Sequence, residues 1–344
     1  MIKNFLQNSL ITPKNLAKEF NNKNILITGG TGSFGKSFVD RVLNLYKPNK
    51  IIIFSRDELK QFEMQQDYPQ KKYSNLRYFI GDVRDEDRLS FAMKDINLVV
   101  HAAAMKHVEA SEYNPFECIK TNIIGAQNIV TSSIKNNVEK VLALSTDKAA
   151  APANLYGASK LAADKIFISA ENYSGGKTIF SVVRYGNVIG SRGSIYPFFK
   201  ELIDKKTKFL PLTDKRMTRF WISLNQGVDF VCSSVCLMEG REVFIPKIPS
   251  MKIIDFCKYI APSTPVKIVG IRPGEKLHEI MFTKDDARNT FFLDDRYIIL
   301  TKEAFLTKRK YSSKLNKIDE NFEYSSDSND ETLNKHYLFE LLKN

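Results

Sequence analysis

The strongest constraint in this sequence is a glycine-rich turn placed directly after an apolar run, Ile25-Leu-Ile-Thr-Gly-Gly-Thr-Gly-Ser-Phe-Gly35. Gly29, Gly32 and Gly35 leave out side chains where a backbone must turn sharply and come close to a pyrophosphate. A helix starting at such a turn adds N–H donors and the positive end of its dipole. Glycine triplets alone are common; here a second apolar run follows at the distance a βαβ unit requires. Runs at Asn24–Thr28, Lys50–Phe54, Leu76–Ile80, Leu98–Ala102, Lys140–Leu144 and Thr178–Arg184 alternate with helix-period stretches at Gly35–Leu45, Asp87–Met93, Pro115–Lys135 and Tyr156–Ser169. Short apolar runs of this kind read as parallel strands buried on both faces. Their alternation with helices predicts an α/β fold, a Rossmann-type doubly wound parallel sheet.

The regularity ends after Arg184. Glycine and proline gather in Tyr185–Pro197, Pro246–Pro249, Pro262–Pro265 and Arg272–Gly274, which predicts a smaller substrate-binding lobe at the C-terminal side, over the carboxyl edge of the sheet. The chain divides into an N-terminal extension (1–22), a dinucleotide-binding domain (23–187), a substrate-binding lobe (188–301) and a C-terminal tail (302–344). Phe220–Met238 reads as a helix and Glu242–Ile245 as a strand, so 220–246 is expected to return to the main sheet. The extension is amphipathic, with Phe5, Leu6, Leu16 and Phe20 as its larger apolar residues. It is suited to packing on the body or on another subunit, and equally to being a partly ordered leader. Tyr324–Glu331 is polar and reads as a surface loop before a terminal helix.

Composition narrows the function. The 344 residues are 43% hydrophobic and 26% charged, which excludes disordered and collagen-like classes. Lysine and arginine number 51 against 39 acids, a formal net charge of +12. The segment from Lys302 onward is balanced, so the excess lies in the body, not in a basic tail. No recognition motif or basic face with interleaved aromatics is present, so nucleic acid is excluded as a partner and small anionic ligands are favoured. Cys232 and Cys236 lack a second Cys or His pair, so the four cysteines read as buried thiols in a reducing compartment and no metal is expected. No apolar run approaches the roughly 18 residues a membrane span needs, and the N-terminus lacks a signal-peptide core. A soluble cytoplasmic protein is expected.

The dinucleotide site is read from the strand ends. Gly29, Thr31, Gly32, Ser33, Phe34 and Gly35 form the phosphate turn. At the end of the second strand, Ser55 stands where an NAD site places a carboxylate, Arg56 follows, and Lys60 lies one helical turn on. A hydroxyl and two cations suit a 2′-phosphate, which favours NADP over NAD, although Asp57 or Glu58 remain able to reach a ribose. Asp82 and Val83 suit the adenine, and Ala102 gives a small residue where backbone passes the cofactor. Tyr156 and Lys160, at i and i+4, share a helix face. A neighbouring ammonium favours the phenolate, so the pair is able to take a proton from a sugar hydroxyl during hydride transfer, with Thr146 offering its hydroxyl to the same oxygen.

These features are similar to those of extended short-chain dehydrogenases/reductases acting on nucleotide sugars. More closely, the chain resembles the inverting UDP-N-acetylglucosamine 4,6-dehydratases of pseudaminic acid biosynthesis. The matching runs are Ser55-Arg-Asp-Glu-Leu-Lys60, Gly81-Asp-Val-Arg-Asp85, Lys106-His-Val108, Ser145-Thr-Asp-Lys148, Arg184-Tyr-Gly-Asn-Val188, Arg216-Met-Thr-Arg-Phe-Trp221 and Gly270-Ile-Arg-Pro-Gly-Glu-Lys276. They span about Asn24 to Leu300, with Tyr324-Ser-Ser-Asp327 beyond. Asp147-Lys148 selects the reaction, because a dehydratase needs a second base and an acid to remove the C5 proton and expel the C6 hydroxyl. The resemblance implies that Tyr156 deprotonates the C4 hydroxyl while tightly bound, recycled NADP+ accepts hydride. Lys148, if neutral, then takes the C5 proton, Asp147 protonates the leaving hydroxyl, and C5 is reprotonated from the opposite face.

The diphosphate of UDP needs cations, which Arg192, Arg219, Arg272 and Lys276 supply; the resemblance assigns Lys106, Asn187, Val188, Arg219, Arg272 and Glu275 to the substrate region, Glu275 toward the uridine ribose. It also implies a homo-oligomer. Three departures stand out: Glu109 replaces the usual proline, Ala151 replaces an expected Asn before Pro152, and residues 1–22 exceed the usual leader. Two rival readings remain. A UDP-sugar 4-epimerase would leave Asp147 and Lys148 without elimination roles, and a non-catalytic NADP-binding regulator would need none of Tyr156, Lys160, Asp147 and Lys148.

Overall fold

A computed structural model describes residues 4–7, 10–305 and 309–343. Parts of the extension and of the tail (1–3, 8–9, 306–308 and 344) lie outside the described residues. Six strands form the parallel frame: β1 (Asn24–Thr28), β2 (Lys50–Ser55), β3 (Leu76–Ile80), β4 (Leu98–His101), β5 (Lys140–Thr146) and β6 (Ile179–Tyr185). They lie in the order β3-β2-β1-β4-β5-β6, and Glu242–Pro246 adds a further parallel strand beside β6. Arg296–Leu300, Thr290–Leu293 and Asn316–Lys317 then extend the sheet antiparallel, making ten strands. The strands 290–293 and 296–300, which patterning assigns to the substrate lobe, therefore belong to the main sheet. Their apolar faces bury Phe291, Leu293, Ile298 and Leu300 in the large core.

The strand order reverses between β1 and β4, so the crevice outside the carboxyl ends of these strands is the natural ligand site of such a sheet. Over it lies a second apolar cluster built on Phe199, Leu212, Trp221 and Phe256. Leu338 and Leu341 of the terminal helix Lys335–Lys343 complete that cluster, so the end of the tail is part of the smaller lobe.

Three local expectations are corrected. Phe220 does not begin a helix: Thr218–Ser223 is a strand of a three-stranded sheet, and the helix starts at Leu224, capped by Ser223. A short apolar run with aromatic and β-branched residues fits either state by periodicity, and here pairing with Asn187–Ile189 and Ser250–Lys252 decides it. The single helix expected at Pro115–Lys135 contains a π-helical segment, Lys120–Ile124. Tyr324–Ser325 is not a surface loop but a strand pairing with Ile280–Phe282. Tyr324 is buried against Phe220, and its hydroxyl bonds to the Ile248 backbone. The extension packs on the body through its helix Pro13–Phe20, with Phe5 edge-on to Phe230 at 4.9 Å and Phe20 stacked on Tyr46 at 4.8 Å. Among the described residues no helix is long and apolar enough to cross a membrane.

Candidate active site

The carboxyl ends of β1, β2, β4, β5 and β6 open into one cavity of about 1040 Å³. Every residue assigned above to the dinucleotide lines it. Gly29 turns the chain with φ +66°, and Gly32 N–H closes the turn on Gly29 O at 2.9 Å. A Cβ added at Gly32 would meet only Gly29 O, at 3.2 Å, and would otherwise fill the cradle. Gly32 also caps the helix Ser33–Leu45 without a side chain, leaving the first N–H groups aimed at the cavity. This cradle fits the pyrophosphate of a nicotinamide dinucleotide.

At the far rim, Ser55 Oγ and Thr31 Oγ1 are hydrogen-bonded at 2.9 Å. Arg56 is 64% exposed and faces Asp82 at 3.6 Å. Lys60 is paired with Asp57, which also caps the helix Glu58–Asp67. Arg192, assigned above to UDP, lies on this side: its N–H donates to Ser33 Oγ at 3.2 Å, and its charge helps hold the Asp57 carboxyl down, behind the larger effect of Lys60. Lys106 Nζ donates to Arg192 O at 2.6 Å and ties the two loops together.

At the inner end, Thr146, Asp147, Lys148 and Tyr156 share the wall. The helix Leu155–Ser169 abuts the loop after β5 so closely that a Cβ at Gly157 would lie 2.3 Å from Lys148 O. Lys148 Nζ donates to Asp147 Oδ1 at 3.1 Å, and Thr146 Oγ1 donates to the same oxygen at 3.0 Å. Burial pushes the Asp147 carboxyl up against the pull of Lys148, with negative Glu279 adding to the rise. Burial alone would lower Lys148, but Asp147 and Glu279 outweigh it and hold the ammonium above lysine's ordinary value. The ammonium form of Lys148 is thus favoured, so the neutral amine of the mechanism above needs a place for its proton to go.

Tyr156 is pushed up to about 12 by burial, with Lys148 and a hydrogen bond to Thr146 pulling the other way. The ammonium that favours its phenolate is therefore that of Lys148, not Lys160. Lys160 Nζ is turned to Leu144 O at 2.7 Å, and burial lowers it. Two further site residues carry no sequence signal of their own. The π-helical segment puts Thr121 on the cavity wall and Asn122 behind it. Asn122 accepts from Met105 N–H at 2.8 Å and donates to Met105 O and Ser159 Oγ, both at 2.9 Å. A π-segment at a functional site is a recurrent device.

Of the substrate residues, Lys106, Asn187, Val188 and Arg192 line the cavity. Arg219, Arg272 and Glu275 are not on its wall. Arg219 is 6% exposed and bonds to the carbonyls of Thr218, Lys276 and Leu277. Exposed Arg272 holds Glu275 and also Glu109, at 3.0 Å, so Glu109 is an anchor for this loop.

Residues 25–301 match the family described as polysaccharide biosynthesis protein. A UDP-N-acetylglucosamine 4,6-dehydratase (inverting) of Campylobacter jejuni is 55% identical over 330 residues, 94% of this chain and 98% of that protein. A UDP-glucose 4-epimerase of Rickettsia typhi is 39% identical over 300 residues, 85% of this chain and 87% of its own. The X-ray structure of Pen from Bacillus thuringiensis superposes with a TM-score of 0.86 at 38% identity, covering 94% of this chain and 98% of that one. The chain belongs to the polysaccharide biosynthesis protein family, and within it to the inverting UDP-N-acetylglucosamine 4,6-dehydratases.

Proposed function

We propose that this chain is a C5-inverting UDP-N-acetylglucosamine 4,6-dehydratase, a hydro-lyase that uses NADP. The observation that carries the reading is the Asp147–Lys148 ion pair at 3.1 Å on the same cavity wall as Tyr156. A 4-epimerase has no use for a second acid and base there. A nicotinamide dinucleotide, when bound, accepts hydride from C4 and returns it to C6. Tyr156 takes the C4 hydroxyl proton, helped by the Lys148 charge that favours its phenolate. Lys148 becomes a base by passing its own proton to Asp147, whose burial favours the neutral acid. That one transfer prepares both groups: the amine for C5–H and the acid for the departing C6 hydroxyl.

Ser55 in place of a carboxylate, with Arg56 and Lys60 beside it, supports NADP over NAD. The family resemblance supports a cytoplasmic homo-oligomer whose product feeds pseudaminic acid synthesis. Incubation with UDP-N-acetylglucosamine tests the reading. Loss of one water with a new C6 methyl signal by proton NMR is expected; an isobaric product would establish the epimerase instead.

A further inference from the structure

Glu279 has no place in the chemistry described so far, yet its side chain is 2% exposed and points at the reacting pair. Its Oε1 lies 2.9 Å from Lys148 Nζ and 3.5 Å from Arg219 Nε, and its Oε2 is buried with no partner. It does not line the cavity. The backbone is clamped: Glu279 N–H donates to Ser326 Oγ, and Ser326 N–H donates to Glu279 O, both at 2.9 Å. Ser326 Oγ is in turn bonded to Thr218 Oγ1 at 2.6 Å. A buried carboxylate is costly unless well paired, and one placed here acts on whatever charge it faces. The other charged or titratable groups facing the pair are Tyr156, Arg219 and Lys276, with Glu275 reached through Arg219.

We propose that Glu279 is a positioning residue, clamped by Ser326 just after the Tyr324–Ser325 strand, that aligns Lys148 with Asp147 and keeps one proton shared between them. This rests on the elimination roles given above to Lys148 and Asp147. With one shared proton, moving it from Nζ to Oδ1 creates amine and acid together. In the elimination, the C5 proton goes to Nζ and its bonding pair becomes the C5=C6 double bond. The C6–O bond breaks, and the oxygen takes the Asp147 proton and leaves as water. The starting ammonium–carboxylate pair is thereby restored. Without the shared proton, above the pair's upper titration, no acid remains for the hydroxyl. With two, below its lower titration, no base remains for C5.

The sign of the Glu279 effect follows from its charge. Its negative charge favours the protonated form of both Lys148 and Asp147, so removing it moves both limbs of the pH profile of kcat toward acid. In the full chain, Glu279→Gln is expected to shift both limbs down by roughly one unit or more, the size of a close charge effect. Glu279→Asp is expected to keep the wild-type limbs and lose part of kcat, because the charge remains but the reach is shorter. Unmoved or alkaline-shifted limbs in Glu279→Gln overturn the proposal. If that variant does not fold, Glu279→Asp decides, and full kcat at every pH overturns the positioning role. A 13C carboxyl NMR titration of Asp147 without ligands reads the same charge effect independently of any reaction. An Asp147 titration lowered in Glu279→Gln supports the role of Glu279 even if the wild type forms an isobaric product, which would fail the dehydratase reading instead. An unchanged Asp147 titration overturns it.

Discussion

The two ends of the cavity hold their charges in opposite ways. At the outer rim, Arg56 is 64% exposed against Asp82, and Lys60 and Asp57 are each more than a third exposed. At the inner end, the Asp147 and Glu279 side chains are at most 2% exposed and flank Lys148. Exposed pairs are screened by solvent and contribute little, about 0–1 kcal/mol. Arg56 and Lys60 are therefore able to exchange an internal carboxylate for the proposed 2′-phosphate at small cost. The buried cluster cannot be rearranged so cheaply, which suits the proton-holding role proposed for it. The rim is built for exchange and the inner end for permanence.

This contrast is broken most directly at Asp147. Asp147→Asn is expected to lower water loss by roughly 100- to 10,000-fold, the usual worth of a general acid, while dinucleotide affinity stays unchanged. Product formation by mass and binding by fluorescence titration measure the two separately. At the rim, Arg56→Ala is expected to reduce the preference for NADP over NAD by about tenfold, the value of one charge-assisted hydrogen bond. The loss should shrink as salt is raised, because the site is exposed. Equal losses of turnover in the two variants would abolish the division between the ends. The smallest effect concerns Ala151, which has φ +43° in the loop leading from the pair to Tyr156. Asparagine tolerates the left-handed region better than alanine, so Ala151→Asn should stabilise the fold by up to about 1 kcal/mol. Thermal unfolding would register it, with catalysis unaltered.

The frame was legible because its signals are local. Each of β1 to β6 is a short, mostly apolar run, broken in β3 by Arg77, and the glycine turn and the Tyr156/Lys160 spacing sit within single strand–helix units. The fine structure of the site was not legible because it depends on contacts between distant segments. Glu279 faces Lys148 only because the distant strand Ile280–Phe282 packs against the turn after β5, and Ser326 reaches Glu279 from the tail. The π-helical turn at Lys120–Ile124 hides in a pattern that stays helical on both sides. Tyr324-Ser-Ser reads as polar loop by composition, whereas pairing with Ile280–Phe282 buries all three residues. Lys148 reads as a base by analogy, but the two carboxylates around it, which favour its ammonium form, come into view only in the fold.

The clamp on Glu279 has a consequence for how the protein is made. Domains tend to fold as they leave the ribosome, amino-terminal parts first. The glycine turn, the phosphate cradle and the helix bearing Tyr156 are all translated by Ser169. Ser326 follows much later, after the strand Ile280–Phe282 that it helps to hold. The phosphate cradle is thus translated long before the segment that clamps Glu279, and the contact proposed to align Lys148 with Asp147 forms only after Ser326 has emerged.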